Sequence, residues 1–373
     1  MRFLFGLLAA IAVAGGAPAA PNLKDSIDVV RRVGPDGEGS AAAAKAWRQL
    51  AGADVADLPA LLAGMDGASP LARNWLCSAV DRVLEQAAAA KKPLPADALD
   101  TFLRQRKHDQ QARRLAYELL RDADPAAEER YLPGMLDDPS PDLRRDAVAR
   151  LLGRADKLFA ADKKPEALPL YREALAAARD MTQIDAATRK LRDLGEKVDL
   201  PARLGMVMSW KLIGPFPNKD RKGMTTPYPP EKSLDFAAEY DGKAGKVKWV
   251  DYTSKDDHGV VDLKEALKDH AEVLTYAAAE FVSKEAREAD VRLGCFTGFN
   301  LWVNGEPVLE RGDAYTGMQL DRYVAHVKLR PGKNVILLKV AQDVPQPQLP
   351  PMLRFQLRVC DAGGKAVLAV GRK

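Results

Sequence analysis

The spacing of apolar positions changes partway along the chain, and the change divides it. Before Pro201, apolar residues recur at helical spacing, as in Leu71, Trp75, Val80 and Leu84, which predicts a helix from about Pro70 to Ala88. After Pro201 the period falls to two. Tyr323, Ala325, Val327 and Leu329 alternate with Val324, His326 and Lys328, which predicts a strand with one buried face. Eight or so short alternating or apolar runs follow one another, including Trp210-Lys211-Leu212-Ile213, Val247-Lys248-Trp249-Val250, Val291-Arg292-Leu293-Gly294-Cys295 and Val335-Ile336-Leu337-Leu338-Lys339-Val340. Asn304-Gly305 between two runs is a hairpin signal, because both central residues of that turn need positive φ. The predicted fold class is therefore a multidomain chain, an N-terminal α-helical repeat array followed by an antiparallel β-sandwich.

The helical half repeats itself. Arg73, Arg113 and Arg144 align, 40 and then 31 residues apart, and each follows a shorter apolar segment and a turn. In the third copy the turn is Asp138-Pro139-Ser140-Pro141-Asp142, which supplies helix-capping chemistry and a proline for the first turn. Arginines placed this way pair with neighbouring carboxylates more often than they serve a site. Such units stack because no single helix pair buries its own apolar stripe.

Composition sharpens the division. Residues 20–201 hold seven aromatics and residues 202–373 hold fifteen, while alanine is denser in the first part. Aromatics favour strands and alanine favours helices. Charge adds an exclusion. The first stretch carries 29 basic and 30 acidic residues, the second 26 and 22, within a chain of net charge +4. That is no nucleic-acid footprint, and no nucleic-acid partner is expected. The first residues read as an address: Met1-Arg2, then an apolar run from Phe3 to Ala14, then Ala17-Pro18-Ala19 at cleavage spacing. The run is too short to span a bilayer. Residues 1–19 are expected to be a signal peptide, with a secreted, periplasmic or cell-surface destination and no membrane span after cleavage.

Two resemblances give the halves family likenesses. The segment Asp138-Pro139-Ser140-Pro141-Asp142-Leu143-Arg144-Arg145-Asp146-Ala147-Val148 resembles a HEAT-like repeat, extending over about 55–155. Ala167, Tyr171 and Ala174 are similar to part of a tetratricopeptide unit, over about 155–196. Residues 20–200 are thus expected to be a helical repeat domain, suited to protein partners. In the second half, Trp302-Val303-Asn304-Gly305, an acidic Asp321, and Leu329-Arg330-Pro331-Gly332-Lys333-Asn334 follow in order. This order resembles the galactose-binding-like jelly roll, notably the sugar-binding domain of family-two glycosidases. An opening Trp210-Lys211-Leu212-Ile213-Gly214-Pro215-Phe216 is similar to one in exported bacterial proteins with this jelly roll. The resemblance implies a β-sandwich domain over 201–373, with Trp302 inside it and Phe216 plugging its core. The fold-defining residues are then Trp210, Gly214, Pro215, Phe216, Trp302, Asn304, Gly305, Gly332 and Asn334.

Motifs that name a reaction are absent from the sequence: no nucleophile elbow, zinc-protease helix, phosphate loop or dinucleotide fingerprint. His108, His258, His270 and His326 lack ligand spacing, and Asp256-Asp257-His258 reads first as an exposed loop. No catalytic residue, metal ligand or cofactor is assigned. By resemblance alone, Asn300, Asp313 and Asp321 are candidate oxygen ligands for a structural Ca²⁺ and candidate ligand-binding residues. Tyr315, in the loop Gly312-Asp313-Ala314-Tyr315-Thr316-Gly317, is either an exposed ligand contact or a plug at the sandwich end. Cys295 and Cys360 both fall on predicted strands of an exported chain, so a disulfide is an open expectation; Cys77 is expected to be a buried thiol. The expected function is an exported, non-catalytic binding or scaffold protein, with repeats for protein contacts and a jelly roll for a glycan or protein, such as a cell-wall component. A glycan hydrolase, or an accessory subunit of one, and a purely structural spacer are the alternatives.

Overall fold

The computed structural model describes residues 22–267, 272–311, 317–342 and 353–371. The chain separates into two compact units, one of Met1–Lys157 with Ala176–Ala178, the other of Leu158–Leu175 with Arg179–Lys373. The order is helical first and antiparallel β second. The compositional shift near Pro201 falls inside the second unit, which also takes in helical segments.

The first unit contains α1 (Leu23–Arg31), α2 (Ser40–Leu50), α3 (Leu58–Ala63), α4 (Pro70–Ala89), α5 (Ala96–Arg104), α6 (Gln110–Ala123), α7 (Ala127–Tyr131) and most of α8 (Pro141–Ala160). Its core runs without interruption from Ile27 to Ala147. From α3 onward, a short helix precedes each long one. Arg73, Arg113 and Arg144 are each the fourth residue of their long helix, α4, α6 and α8. Arg73 and Arg113 are used alike. Arg73 reaches Asp109, which caps the start of α6 by accepting from Gln111 N and Ala112 N. Arg113, almost fully buried, bonds Asp138 in the turn before α8, and Arg144 donates to the Asp138 carbonyl at 3.2 Å. In α4 and α6 a side chain early in the long helix thus fixes the turn that starts the next, whereas Arg144 holds the turn before its own helix. The predicted face of α4 is offset: Leu71 is exposed, and the buried stripe is Ala72, Leu76, Ala79, Val80, Val83 and Ala87.

The second unit begins with α9 (Lys164–Ala177), α10 (Met181–Asp193) and α11 (Leu200–Leu204). Its strands are β1 (Ser209–Pro217), β2 (Glu239–Gly242), β3 (Gly245–Lys248), β4 (Val250–Thr253), β5 (Val261–Asp262), β6 (Val273–Ser283), β7 (Arg287–Cys295), β8 (Phe299–Val303), β9 (Glu306–Arg311), β10 (Tyr323–Leu329), β11 (Gly332–Gln342) and β12 (Arg354–Cys360). Two short helices, α12 (Pro229–Lys232) and α13 (Leu263–Leu267), lie between strands. A six-stranded antiparallel sheet has the order β4-β1-β6-β11-β8-β9, a four-stranded one β10-β7-β12-β5, and β2-β3 forms a separate hairpin. The inner faces of the two large sheets share one core, with Leu212, Phe299, Leu301 and Leu338 on one side and Val291, Leu293, Phe355 and Leu357 on the other. The outer face of the six-stranded sheet carries a second core of Ile213, Phe216, Leu274, Tyr276 and Leu337, joined by Met224 and Trp249 from the intervening segment. Covered on both faces, the central strand β6 reads as an almost unbroken apolar run.

Alternation corrects the placement of Trp302. Phe299, Leu301 and Val303 of β8 enter the inter-sheet core, so Trp302 points to the opposite face, half-buried against the outer core. The hairpin beside it is as expected, with Asn304 at φ 55° and Gly305 at φ 84°. The Asn304-Gly305 and Gly332-Lys333-Asn334 motifs are joined by their side chains. Asn304 Nδ2 donates to Asn334 Oδ1 at 2.9 Å, and Asn304 Oδ1 accepts from Val335 N at 3.0 Å. Asn334, with no exposed surface, also accepts from Arg330 N and donates to the carbonyls of Arg330, Gly332 and Phe281. Two motifs 30 residues apart are therefore one knot. At the entry to β1, Gly205 caps α11 at φ 77°, and a Cβ there would lie 2.3 Å from the Val359 carbonyl oxygen.

Candidate functional site

The six-stranded sheet splits at one end. β1 pairs with β6 from Pro217↔Val273 to Lys211↔Ala278, and the register stops before Ser209 would meet Glu280. Beyond that point the start of β1 pairs with β4, and the end of β6 pairs with β11. Residues 367–371 enter the gap, where Val370 N donates to Val282 O at 2.8 Å. Backbone groups alternate along a strand, so those of Glu280 turn to the same side as the Val282 carbonyl, into the gap.

The gap is a cavity of about 500 Å³, within the range of small-ligand sites. Its lining includes Met206, Met208, Lys211, Phe236, Asp251 and Glu280. Lys211 Nζ is 2.6 Å from Asp251 Oδ1 and lies 5.4 Å from the centre of the Phe236 ring. An aromatic ring, an ion pair with spare donors and acceptors, and backbone groups turned toward one space can hold a ligand that presents both apolar faces and hydroxyls.

Several carboxylates of the β-rich unit are held by cations. Asp321 bonds Arg358 through both oxygens and Arg292 at 3.1 Å. Burial acts to raise the Asp321 pKa, but the hydrogen bonds and charges of Arg358 and Arg292 outweigh it and hold the carboxyl below its usual range. Asp290 takes Arg292 and the exposed His326. At the cavity, Glu280 pairs with Lys333 as Asp251 does with Lys211. Deeper, under the segment that covers the outer core, Lys339 has no exposed surface. Its ammonium donates to Glu231 at 2.7 Å and to the Met224 and Thr226 carbonyls at 3.1 and 2.9 Å. Burial lowers the Lys339 pKa against the pull of Glu231. Tyr276, which donates to the same Glu231 oxygen, has its pKa pushed far up, first by burial and then by that carboxylate. Sequence reading passed over this cluster, although a lysine inside the apolar run Val335–Val340 was its visible signal.

The ligand residues expected from resemblance do not converge into a site. Asp313 and Tyr315 lie outside the described residues, as does His270. Asp321 is committed to two guanidinium groups. Asn300 faces the outer side of β8, where its Nδ2 is 3.5 Å from the Met224 carbonyl oxygen and its Oδ1 is buried without a partner. Asp257 pairs with Arg192 and His258 with Asp185. Among the described residues no group of three His, Cys, Asp or Glu is arranged to hold a metal ion. The Cys295–Cys360 disulfide is corrected: both thiols are free and buried. On paired strands Cys295 lies opposite Phe355 and Cys360 opposite Asp290, five residues apart in register. That is about 17 Å along the strands, well beyond a disulfide's reach. Cys295 points into the inter-sheet core, while alternation turns Cys360 to the other face. Burial pushes the Cys295 thiol up to about 12 and the Cys360 thiol up to about 11, the latter against the pull of Arg358 and Arg292. Cys77 is half-buried and free.

No family model matches the chain, and no curated protein matches it. Among solved structures it is similar to a β-glucosidase from Kluyveromyces marxianus, at 12% identity and a TM-score of 0.26, and to the same enzyme in complex with glucose, at 0.25. It is also similar to a GH31 α-xylosidase from Xanthomonas citri, at 12% identity and a TM-score of 0.20. In each case the match covers 42% of this chain and 17% of the enzyme, so the chain spans about a sixth of their length. Scores this low do not establish a shared fold.

Proposed function

We propose that this chain is an exported, non-catalytic binding protein whose β-rich unit holds a glycan in the split of its six-stranded sheet. The observation that carries the reading is the cavity of about 500 Å³ that sets Phe236 beside the Lys211–Asp251 pair. Sugars offer apolar ring faces to aromatics and hydroxyls that both donate and accept. The helical unit, with its likeness to HEAT and tetratricopeptide repeats, serves protein contacts, and the sandwich, with its likeness to the galactose-binding-like jelly roll, serves the glycan. The hydrolase alternative needs one carboxyl kept protonated beside a second carboxylate. The two carboxylates that line the cavity, Asp251 and Glu280, are each paired with a lysine instead.

Affinity electrophoresis and calorimetry with soluble cell-wall oligosaccharides test this. The wild type is expected to be retained, and Phe236→Ala, which also loosens its contact with Trp249, to lose retention at a temperature where the β-rich unit is still folded. If no glycan is retained by the wild type, the glycan reading fails and protein scaffolding stands in its place.

A further inference from the structure

We propose that a shallow groove between α2 and α4 docks the proline-rich residues 343–352 of a second copy of this chain. The groove measures about 320 Å³ and is lined by Trp47 of α2 and by Asn74, Trp75 and Ser78 of α4. It lies wholly within the first unit. This rests on the helical unit's proposed role in protein contacts and names the occupant.

The other aromatic side chains described in this unit are all engaged. Phe102 stacks on His108, Tyr117 meets Arg114, and Tyr131 meets Arg104 and Arg130. Trp47 and Trp75 have no ring or cation partner among the described residues. Each packs in part against the core of the unit and in part lines the groove. Leu71, one turn before Trp75 on α4, is 42% exposed and extends the apolar surface. Asn74 and Ser78 are exposed, and their side chains make no hydrogen bond among the described residues.

Two indoles beside a free amide and a free hydroxyl match a polyproline II segment. Its prolines pack on aromatic faces, and its backbone, with no internal hydrogen bond, offers carbonyls to the donors. A docked helix spends its backbone internally and leaves Asn74 and Ser78 unanswered. The chain itself carries such a sequence, Asp343-Val344-Pro345-Gln346-Pro347-Gln348-Leu349-Pro350-Pro351-Met352, outside the described residues and between β11 and β12. At three residues per turn, Pro347 and Pro350 fall on one edge about 9 Å apart, one for each indole. The single charge of the segment is Asp343. Lys45 and Arg48, exposed on α2 close to Trp47 in sequence, form no ion pair among the described residues and complement it. Since every chain carries both groove and segment, reciprocal exchange closes a dimer.

Fluorescence anisotropy of a dye-labelled peptide of residues 343–352 tests the groove. The protein is the full chain carrying Pro347→Ala and Pro350→Ala, which cannot fill the groove with its own segment. Saturable binding is expected, weakened about tenfold or more when the peptide carries the same two changes or the chain carries Trp75→Leu. The peptide changes leave the folding of the chain untouched. Sedimentation velocity tests the second copy. The wild type is expected to associate as its concentration rises. The proline variant and a Trp75→Leu chain are each expected to stay monomeric alone and to associate when mixed. Absence of saturable binding, or equal binding of the alanine peptide, overturns the groove. Peptide binding with a wild type that stays monomeric overturns the second copy as occupant. The broader reading of the unit fails separately, if crosslinking of the full chain captures no protein there.

Discussion

Replacing Asn334 by Asp tests whether the side-chain knot between two turns holds the sandwich together. The change keeps the shape and reverses one end, putting an oxygen where Nδ2 stands. That nitrogen donates to Phe281 O at 3.3 Å, Arg330 O at 2.9 Å and Gly332 O at 3.1 Å. The variant faces three carbonyl oxygens with an acceptor. The contact with Phe281 is fully buried and the other two are partly so. A buried polar group left unpaired costs about 1–3 kcal/mol, with water offsetting part of it at the rim, so the loss is about 3–5 kcal/mol in all. That is a large fraction of an ordinary domain's stability, about 5–15 kcal/mol. Because the chain has two units, a single unfolding curve mixes them. Hydrogen exchange of strand amides in β6 and β11, against those of α4 and α6, reads each separately. The β-rich unit is expected to lose protection while the helical unit keeps it. Asn304→Ala and Asn334→Ala form a double-mutant cycle, and non-additivity of about 1 kcal/mol is expected from the bond they share. A loss under about 0.5 kcal/mol in Asn334→Asp, with additive effects in the cycle, refutes the reasoning.

Three further outcomes follow from the buried charges and thiols. Lys339→Met strands Glu231 beneath the covering segment and is expected to cost about 3–5 kcal/mol in urea unfolding, whereas Lys339→Met combined with Glu231→Leu recovers about half or more; equal losses in both would discount the pair. The Asp321 carboxyl sits below its ordinary value of 3.8 in the folded state, so its contribution is present above that pH and is lost as pH falls through the folded value. Wild type is thus expected to lose stability in acid below about pH 4 more steeply than Asp321→Asn, and parallel acid titrations of the two would contradict this. At pH 8 the half-buried Cys77 is expected to react first with a thiol reagent, while Cys295 and Cys360 react only on unfolding, and mass spectrometry under mild oxidation is expected to find no 295–360 bridge.

The legible parts of this protein were those governed by near neighbours in the chain. Helical spacing, strand alternation and the residue-type shift gave the order of helices and strands. The aligned arginines gave the shared use of the fourth residue in α4 and α6, while that of α8 turns back to the turn before its own helix. Asn304-Gly305 gave its turn, because a two-residue turn demands positive φ locally. Trp302 shows where this kind of reading stops: alternation predicts that it opposes Leu301, but not that a covering segment builds a second core on that side.

What the sequence by itself determined is the set of elements and the chemistry each one carries. Which residues meet was decided only by tertiary structure. Strand register separates Cys295 from Cys360 and gives Asp321 to two arginines. The divergence of β1 from β6 opens the cavity beside Phe236. Packing of α2 against α4 brings Trp47 and Trp75 to one groove. Register, divergence and packing depend on contacts between residues tens to over a hundred positions apart, and no local propensity encodes them.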